Sequence, residues 1–441
     1  MEPATERSGL FASDGARAFL LLWIGLTISL LGSGLTAFSL GVWIFQKTAS
    51  TTQYGLVMFS SALPPLLVLP FVGPIIDRVP RKRLLVICDL LGAAATAAIG
   101  LLAWWKLLTL AWACAIVIVT SSVSALQWPT YSATVTTLVP RAELGRASGM
   151  TQLAQAVSQI ASPVLAGALI TSIGLYGITA IDFVTFVVST LLLLAARIPR
   201  IERREPRRGD YWRDLPLGWR TIAAAPGLLG LLLMFAATNF LAELASILFT
   251  PLVLSFAAPA ALGTIVAIGG IGLLLGGATL TLTGGPKRPA LGAAFFAALG
   301  GIAIAAAGVT VRVPLLAAIA AGFFFSVPMM SGSSQVVWQR TVPAEIQGRV
   351  FAARATVAMS AVPLASLLAG PLADRLLEPA MREGGRLAPL FGPWIGVGPG
   401  RGIALILVFA GILSVAVALA AASFPPLRRL DSVSPREPHS G

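Results

Sequence analysis

Long apolar runs separated by short polar loops are the feature that most constrains how this chain can fold. A helix needs about 20 apolar residues to cross the hydrocarbon core of a bilayer, and runs of this kind recur along nearly the whole sequence. Only 11% of the 441 residues are charged, and the mean hydropathy is +0.87. A water-soluble fold would expose more apolar surface than such proteins tolerate. The sequence therefore predicts an all-α integral membrane protein.

Dividing the sequence at its charged, proline and glycine clusters predicts twelve membrane spans. The first six lie near 17–46, 53–76, 84–105, 107–130, 148–172 and 175–197. The second six lie near 226–256, 260–283, 289–311, 313–338, 350–376 and 401–424. Four parts are predicted: an N-terminal six-helix bundle at 1–197, a cytoplasmic inter-domain linker at 198–225, a C-terminal six-helix bundle at 226–424 and a cytoplasmic tail at 425–441.

The distribution of basic residues indicates how the spans are oriented. If both termini are cytoplasmic, 24 of the 31 Lys and Arg residues lie on the cytoplasmic side or at its flanks, as the positive-inside rule requires. The net charge of +13 then follows from topology, and no nucleic-acid partner is expected. The prediction is a monomeric, multi-pass protein of the cell (inner) membrane, in contact with membrane lipids, with both termini cytoplasmic.

The two halves of the chain are similar in parallel register. When the second half is shifted by 203 residues, eight positions between 139 and 169 meet an identical residue. The matching positions in the first half are Val139, Pro140, Gly145, Arg146, Leu165, Ala166, Gly167 and Leu169. Two parallel halves of six spans are the organisation of rocker-type secondary transporters, in which the substrate binds between the halves.

The loop between predicted spans 2 and 3, GPIIDRVPRKRLL, breaks the apolar pattern. It resembles the G-x-x-x-D-R-x-G-R-[KR]-[KR] motif of the major facilitator superfamily, except that proline replaces the usual second glycine. The matching residues are Gly73, Asp77, Arg78, Arg81 and Lys82. The resemblance implies a cytoplasmic gate motif in which Asp77 and the following bases latch the two halves together. A carboxylate there can cap the N-terminal end of span 11; alternatively, the bases only enforce topology.

A partial copy of this motif, from Gly370 to Arg375, follows span 11 on the predicted outer side. It lacks the basic run, so we expect an ordinary outer helix end there and not a latch. The positional counterpart of Gly73 in the second half is Gly276, and the stretch after it has lost the acid.

Longer stretches resemble the enterobactin-exporter and macrolide-efflux-like exporters of the same superfamily. They include LGSGLTAFSLGVWIFQKTAS, VPRAELGRASG and GPLADRLLEPAM. The resemblance implies the major facilitator fold and efflux of a drug, a siderophore or a peptide-like natural product. In span 5, Ser162, Pro163, Ala166 and Gly167 resemble the antiporter motif of drug/proton exchangers, with two glycines replaced. A close-packed seam of small residues explains the same pattern without an ion.

Ionisable side chains within spans are costly and mark transport pathways. Glu243 shares a face of span 7 with Asn239 and Ser246. Asp182 lies about 10 Å into span 6, counting seven residues from its outer end at 1.5 Å each. Both carboxyls are candidates for proton coupling. The alternatives are an acid that only joins two helices and, for Asp182, a position in an outer vestibule.

Other polar and aromatic side chains are candidates for lining a substrate cavity. Gln152, Gln155 and Gln159 share one face of span 5, where they either line a cavity or join the span to a neighbour. The remaining candidates, in spans 4, 7 and 10, are Gln127, Trp128, Asn239, Phe324, Met330, Gln335 and Trp338. Such a mixture suits a large, partly apolar ligand, although aromatic and Met residues also serve as packing.

These features predict a secondary transporter that exports an amphipathic small molecule by alternating access, with proton antiport. No phosphate-binding loop is present in the sequence, the only histidine is His439 in the tail, and no cofactor or metal is expected. The first alternative is a lipid or lysophospholipid transporter of the same fold. A membrane-embedded enzyme would need a cluster of His, Cys or paired acids near one interface, so an enzyme is not expected.

Overall fold

The computed structural model describes residues 14–140, 144–198, 219–343 and 346–432, and its regular structure is helical throughout these ranges. The first five helices are α1 (Asp14–Thr48), α2 (Thr51–Arg78), α3 (Arg81–Trp104), α4 (Leu110–Leu138) and α5 (Leu144–Ala195). The next five are α6 (Pro226–Leu254), α7 (Pro259–Thr283), α8 (Pro289–Val309), α9 (Val313–Thr341) and α10 (Gln347–Pro371). A π-helical segment (Leu372–Leu377) and a short helical turn (Glu378–Ala380) continue α10. They are followed by α11 (Ala388–Ile395), α12 (Arg401–Ser423), α13 (Pro425–Arg429) and a 3-10 segment (Leu430–Ser432).

The number of helices that could cross a membrane differs from the prediction of twelve. In the described ranges, ten helices are long and apolar enough. One of the ten, Gly149–Ala195, covers 47 residues and contains the non-helical Gly174, at φ 65 and ψ −178, where two spans were predicted. Helix α2, 28 residues long, corresponds to the predicted span 53–76 but is not among the ten. The all-α membrane fold is confirmed, and the number of crossings stays a prediction.

Proline and glycine set several helix boundaries in the second half of the chain. Helices α6, α7, α8 and α9 each have proline at the first or second position. Proline suits these positions because its fixed φ matches the helix and its missing N–H would have no partner there. Helix α7 ends at Gly284, which adopts a left-handed conformation with φ 71, the usual role of glycine at a helix C-terminus.

The chain folds into two compact units. The first comprises Met1–Ile44 and Ser60–Arg207, and the second comprises Phe45–Phe59 and Arg208–Gly441. Most of the predicted linker lies outside the described residues, so the predicted domain boundaries stay a prediction. Within the first unit, one buried cluster joins α1, α3, α4 and α5 through residues that include Phe19, Leu85, Tyr131, Val135 and Leu193.

The second unit depends on close approach between helix backbones. A Cβ atom added at Gly272 of α7 would overlap the carbonyl oxygen of Ala321 of α9, and one added at Gly276 would overlap that of Phe325. Lipid tails are as apolar as leucine, so helices in a bilayer associate largely through van der Waals packing, which small residues make possible. A separate apolar cluster joins α6, α8, α9 and α10, with Trp338 at 1% exposure.

Cysteine labelling provides a test of the predicted orientation. In a background with Cys88 and Cys114 replaced by serine, we expect Glu383→Cys to react with a membrane-impermeant maleimide in intact cells. Lys287→Cys should react only after the cells are opened, because the basic residues favour the cytoplasm. Both native side chains are exposed, so access by itself does not distinguish them. Labelling of both cysteines from the same side would contradict the topology.

Candidate functional site

Asp182 lies in the second half of α5 and is only 1% exposed, so it does not sit in an open vestibule. The hydroxyl of Thr36 on α1 donates a hydrogen bond of 2.7 Å to its Oδ2 atom, and the hydroxyl of Thr96 on α3 donates one of 3.1 Å. The Thr185 hydroxyl lies 3.3 Å from Oδ1. A predicted proton-coupling candidate thus joins three helices through neutral hydroxyl donors.

A second buried carboxyl in the same unit, Asp89 on α3, was not among the predicted site residues. Its side chain is 2% exposed. Nε2 of Gln127 on α4 donates a hydrogen bond of 2.7 Å to Oδ1 of Asp89. The hydroxyl of Ser189 on α5 donates one of 2.9 Å to Oδ2. Gln127 lines a small cavity of about 30 Å³ beside Asp89, and its predicted contact with a substrate stays a prediction. Trp128, the next residue and another predicted cavity residue, is exposed and stacks on Tyr131 with ring centroids 6.2 Å apart.

Two bases of the predicted gate motif bond within the first unit. Nη1 of Arg81 donates a hydrogen bond of 2.6 Å to the carbonyl oxygen of Ala133 on α4. Nζ of Lys82 donates hydrogen bonds of 2.8 Å to the carbonyl oxygens of Leu194 and Ala196, at the C-terminal end of α5. A positive charge at this end interacts favourably with the helix dipole.

The remaining gate-motif residues Gly73, Asp77 and Arg78 lie in α2, but their side chains lie outside the described residues. The capping of span 11 by Asp77 therefore stays a prediction.

The buried face of α5 is not the glutamine face. Ser158 and Ser162 donate hydrogen bonds of 2.8 and 3.1 Å to the carbonyls of Leu30 and Leu31 on α1. This is the close-packed seam that the small residues near Pro163 indicated. Of the three predicted cavity residues, Gln152 and Gln159 are exposed and Gln155 is half-buried.

Glu243 of α6 is half-buried, and so is Asn239 one turn before it. Glu243 makes no hydrogen bond or ion pair among the described residues. It differs in this respect from Asp89 and Asp182, whose oxygens are bonded by hydroxyl and amide groups.

Arg354 of α10 is a partly buried cation and was not among the predicted site residues. Its Nη1 atom donates a hydrogen bond of 2.7 Å to Oε1 of Gln335. Its guanidinium lies 5.1 Å from the ring centroid of Phe235 and 5.7 Å from that of Trp338. Two predicted cavity residues, Gln335 and Trp338, therefore meet around one arginine, and Trp338 packs in the apolar core. The other candidates on α9, Phe324 and Met330, are half-buried.

The partial motif copy after α10 has a defined contact. Asp374 accepts hydrogen bonds from the hydroxyl of Ser50 (2.8 Å), the backbone N–H of Thr51 (3.1 Å) and the backbone N–H of Thr52 (2.8 Å). These groups form the N-terminus of α2, where unpaired N–H groups and the helix dipole favour a carboxylate. The expectation of an ordinary helix end was wrong, because this acid caps a helix that is distant in sequence.

Two further acids of the second unit cap helices in the same way. Glu378 accepts from the backbone N–H groups of Gly400 and Ile403 at the start of α12. Asp431 accepts from those of Ala290 and Leu291 at the start of α8. No group of three or more His, Cys, Asp or Glu residues that could hold a metal ion occurs within the residues described.

Apolar helices of membrane-spanning length that hold buried or half-buried carboxyls are typical of membrane transport proteins. The sequence pattern of the Major Facilitator Superfamily matches residues 22–366, and the chain belongs to that family. It is therefore a transporter of small molecules and not an enzyme.

Relatives of known name cover most of the chain. Macrolide efflux protein A of Streptococcus pyogenes is 26% identical over 372 residues, which are 81% of this chain and 90% of that protein. The multidrug efflux pump Tap of Mycolicibacterium fortuitum is 26% identical over 371 residues, 80% of this chain and 88% of that protein. Among solved structures, a bacterial homologue of the human lysosomal transporter Spinster, inward-facing and unoccupied, has a TM-score of 0.69 and 16% identity. The match covers 95% of this chain and 97% of that one.

Proposed function

We propose that this transporter exports an amphipathic small molecule by alternating access and takes up protons in exchange. The observation that carries the proposal is the match, over about four-fifths of the chain, to a macrolide efflux protein and a multidrug efflux pump. Family membership supports transport, and the efflux relatives support the direction and a drug-like substrate.

Membrane-embedded acids support proton exchange. Carboxyls are the side chains within these spans that can exchange a proton near neutral pH once their surroundings favour the neutral form. Asp182 is buried among hydroxyls, and Glu243 is half-buried without a bonded partner in the described chain. Both are proposed as coupling residues, and a negative charge is costly at either position.

The Asp374 cap is a candidate contact for alternating access, since it joins two segments that are distant in sequence. It fixes the N-terminus of α2, on the predicted outer side, to the segment that follows α10. We propose that the cap holds one conformation of the transporter and opens when the outer ends of these helices separate. The predicted Asp77 cap would serve at the opposite end of α2.

Efflux from proteoliposomes under an imposed pH gradient tests the proposal. A gradient of one pH unit supplies about 1.4 kcal/mol per proton, which supports about a tenfold substrate gradient for one-to-one exchange. We expect the wild-type protein to build such a gradient of a macrolide and to lose it when a protonophore is added. Glu243→Gln, which keeps shape and hydrogen-bonding capacity, should bind the macrolide and fail to concentrate it.

Glu383→Gln is the matched control, since Glu383 is exposed in a loop and its change should leave efflux intact. Export that ignores the pH gradient would contradict antiport. Movement of a lysophospholipid but not of the macrolide would contradict the drug-like substrate.

A further inference from the structure

The interface between α3 and α5 carries two acids in a reciprocal arrangement. On α3, Asp89 is followed seven residues later by Thr96, and on α5, Asp182 is followed seven residues later by Ser189. Seven residues are about two helical turns, so each pair lies on one face of its helix. Each acid accepts a hydrogen bond from a hydroxyl of the opposite helix. Ser189 donates a hydrogen bond of 2.9 Å to Asp89, and Thr96 donates one of 3.1 Å to Asp182.

The helices run antiparallel and approach closely at two glycines of α3, one between the two bonded pairs and one beyond the Thr96–Asp182 pair. A Cβ atom added at Gly92 would lie 2.6 Å from the ring of Phe186. A Cβ atom added at Gly100 would lie 2.6 Å from the Thr179 hydroxyl. The register of the two acids is therefore fixed by packing along the whole seam.

The groups that face the two acids are neutral donors. Gln127 and Tyr131 of α4, Ser189 of α5 and the neighbouring Cys88 surround Asp89. Thr36, Thr96 and Thr185 surround Asp182. Tyr131 and Cys88 are the titratable members of these sets. No Lys or Arg side chain pairs with either carboxyl within the described ranges.

Hydroxyl partners suit an acid that gains and loses a proton. A hydroxyl donates to a carboxylate and, after rotation, accepts from the protonated carboxyl, whereas a Lys or Arg partner can only donate. Both protonation states of Asp89 can therefore stay bonded to Ser189, and both states of Asp182 to Thr96. The free-energy cost of a buried, unbonded polar group is avoided in each state.

A small cavity adjoins one of the two acids. The cavity lies beside Asp89 and is lined by Leu22, Leu26, Leu85, Gln127, Tyr131 and Ser189, among others. The hydroxyl of Tyr131, 4% exposed, makes no well-formed hydrogen bond in the described chain, although Thr151 lies beside it. A cavity with several polar groups on its wall can hold ordered water.

We propose that Asp89 is a proton-binding site of this transporter, exchanging its proton with water in the adjoining cavity, and that Asp182 is the reciprocal site on the same interface. The proposal rests on the proton exchange proposed above and adds to Glu243 a second location for it, the α3–α5 seam of the first unit. When Asp89 is protonated, its own proton forms the hydrogen bond to Ser189. After that proton is released, the Ser189 hydroxyl donates the hydrogen bond to Asp89 instead. Proton binding thus changes the bonds that hold α3 against α5.

Infrared spectroscopy of the purified protein, titrated with acid in lipid, tests this inference without measuring transport. A protonated buried carboxyl gives a C=O stretching band, and we expect the wild-type protein to show such bands appearing as the pH is lowered. Asp89→Asn should remove one component of the signal and Asp182→Asn another. Ser189→Ala keeps both acids and removes one hydroxyl, so it should shift the frequency of the Asp89 component only.

The outcomes separate this inference from the proposed function. An unchanged carboxyl signal in Asp89→Asn, together with intact pH-driven efflux, would overturn the inference and leave antiport standing. A titrating Asp89 signal in a protein whose efflux ignores the pH gradient would overturn antiport and leave the proton site standing. If Asp89→Asn does not fold, the frequency shift in Ser189→Ala decides, and its absence would overturn the assignment.

Discussion

Replacing Asp374 by alanine is expected to reduce efflux strongly, because it removes the acceptor of three hydrogen bonds at the start of α2. Loss of a helix N-cap costs about 0.5–2 kcal/mol. At the upper limit this changes the balance between two conformations about 30-fold. Asp374→Asn should have a smaller effect, since asparagine is also a favourable N-cap.

Two measurements check the Asp374 prediction. The first is the initial rate of macrolide efflux. The second is the alkylation rate of a cysteine at Gln53, a half-buried position that should react faster once α2 is released. Arg375→Ala is the matched control, since Arg375 is the exposed neighbour of Asp374. Wild-type efflux and labelling in Asp374→Ala would show that the cap is not a latch.

Replacing Gly272 by alanine is expected to destabilise the second unit, with loss of most of the folded protein. The new methyl group would overlap the carbonyl oxygen of Ala321 and lie 2.7 Å from its Cα atom. Backbone atoms cannot move aside as a flexible side chain can, so α7 and α9 must separate. Overpacking of this kind costs about 1–3 kcal/mol and occasionally more.

The same helix provides a matched control for this substitution. A Cβ atom added at Gly277 meets no atom within 4 Å, and alanine is favoured over glycine in a helix by about 1 kcal/mol. Gly277→Ala should therefore be neutral or stabilising in a thermal unfolding assay in detergent. Equal melting temperatures for the two variants would contradict the close approach of α7 and α9.

The positions of the helices followed from local physics. A span must be apolar over a length set by the bilayer, and this property can be read from the sequence. The predicted span 84–105 corresponds to α3 (Arg81–Trp104), and 401–424 corresponds to α12 (Arg401–Ser423). The family resemblance, read in part from the short motif at the end of α2 and the start of α3, was confirmed by a match that covers residues 22–366.

The partners of the acids depended on the tertiary structure. Asp182 was selected from sequence because a carboxyl deep in an apolar run is costly by itself. Asp89 lies only five residues into the predicted span 84–105, so the sequence alone does not mark it as a deep carboxyl, and its burial depends on the groups that α4 and α5 place around it. Its hydrogen-bond partners are 38 and 100 residues away, beyond the reach of any local pattern.

Asp374 shows the same division. The sequence marks Asp374 and Arg375 as the end of an apolar run, but helical structure continues through a π-helical segment to Leu377. Whether that acid faces water or caps another helix is decided by groups 322–324 residues away. A single sequence determines which segments are long and apolar enough to cross a membrane, since the bilayer acts on each segment separately. Only packing decides which polar groups meet, because a hydrogen bond depends on atoms that long chain segments bring together.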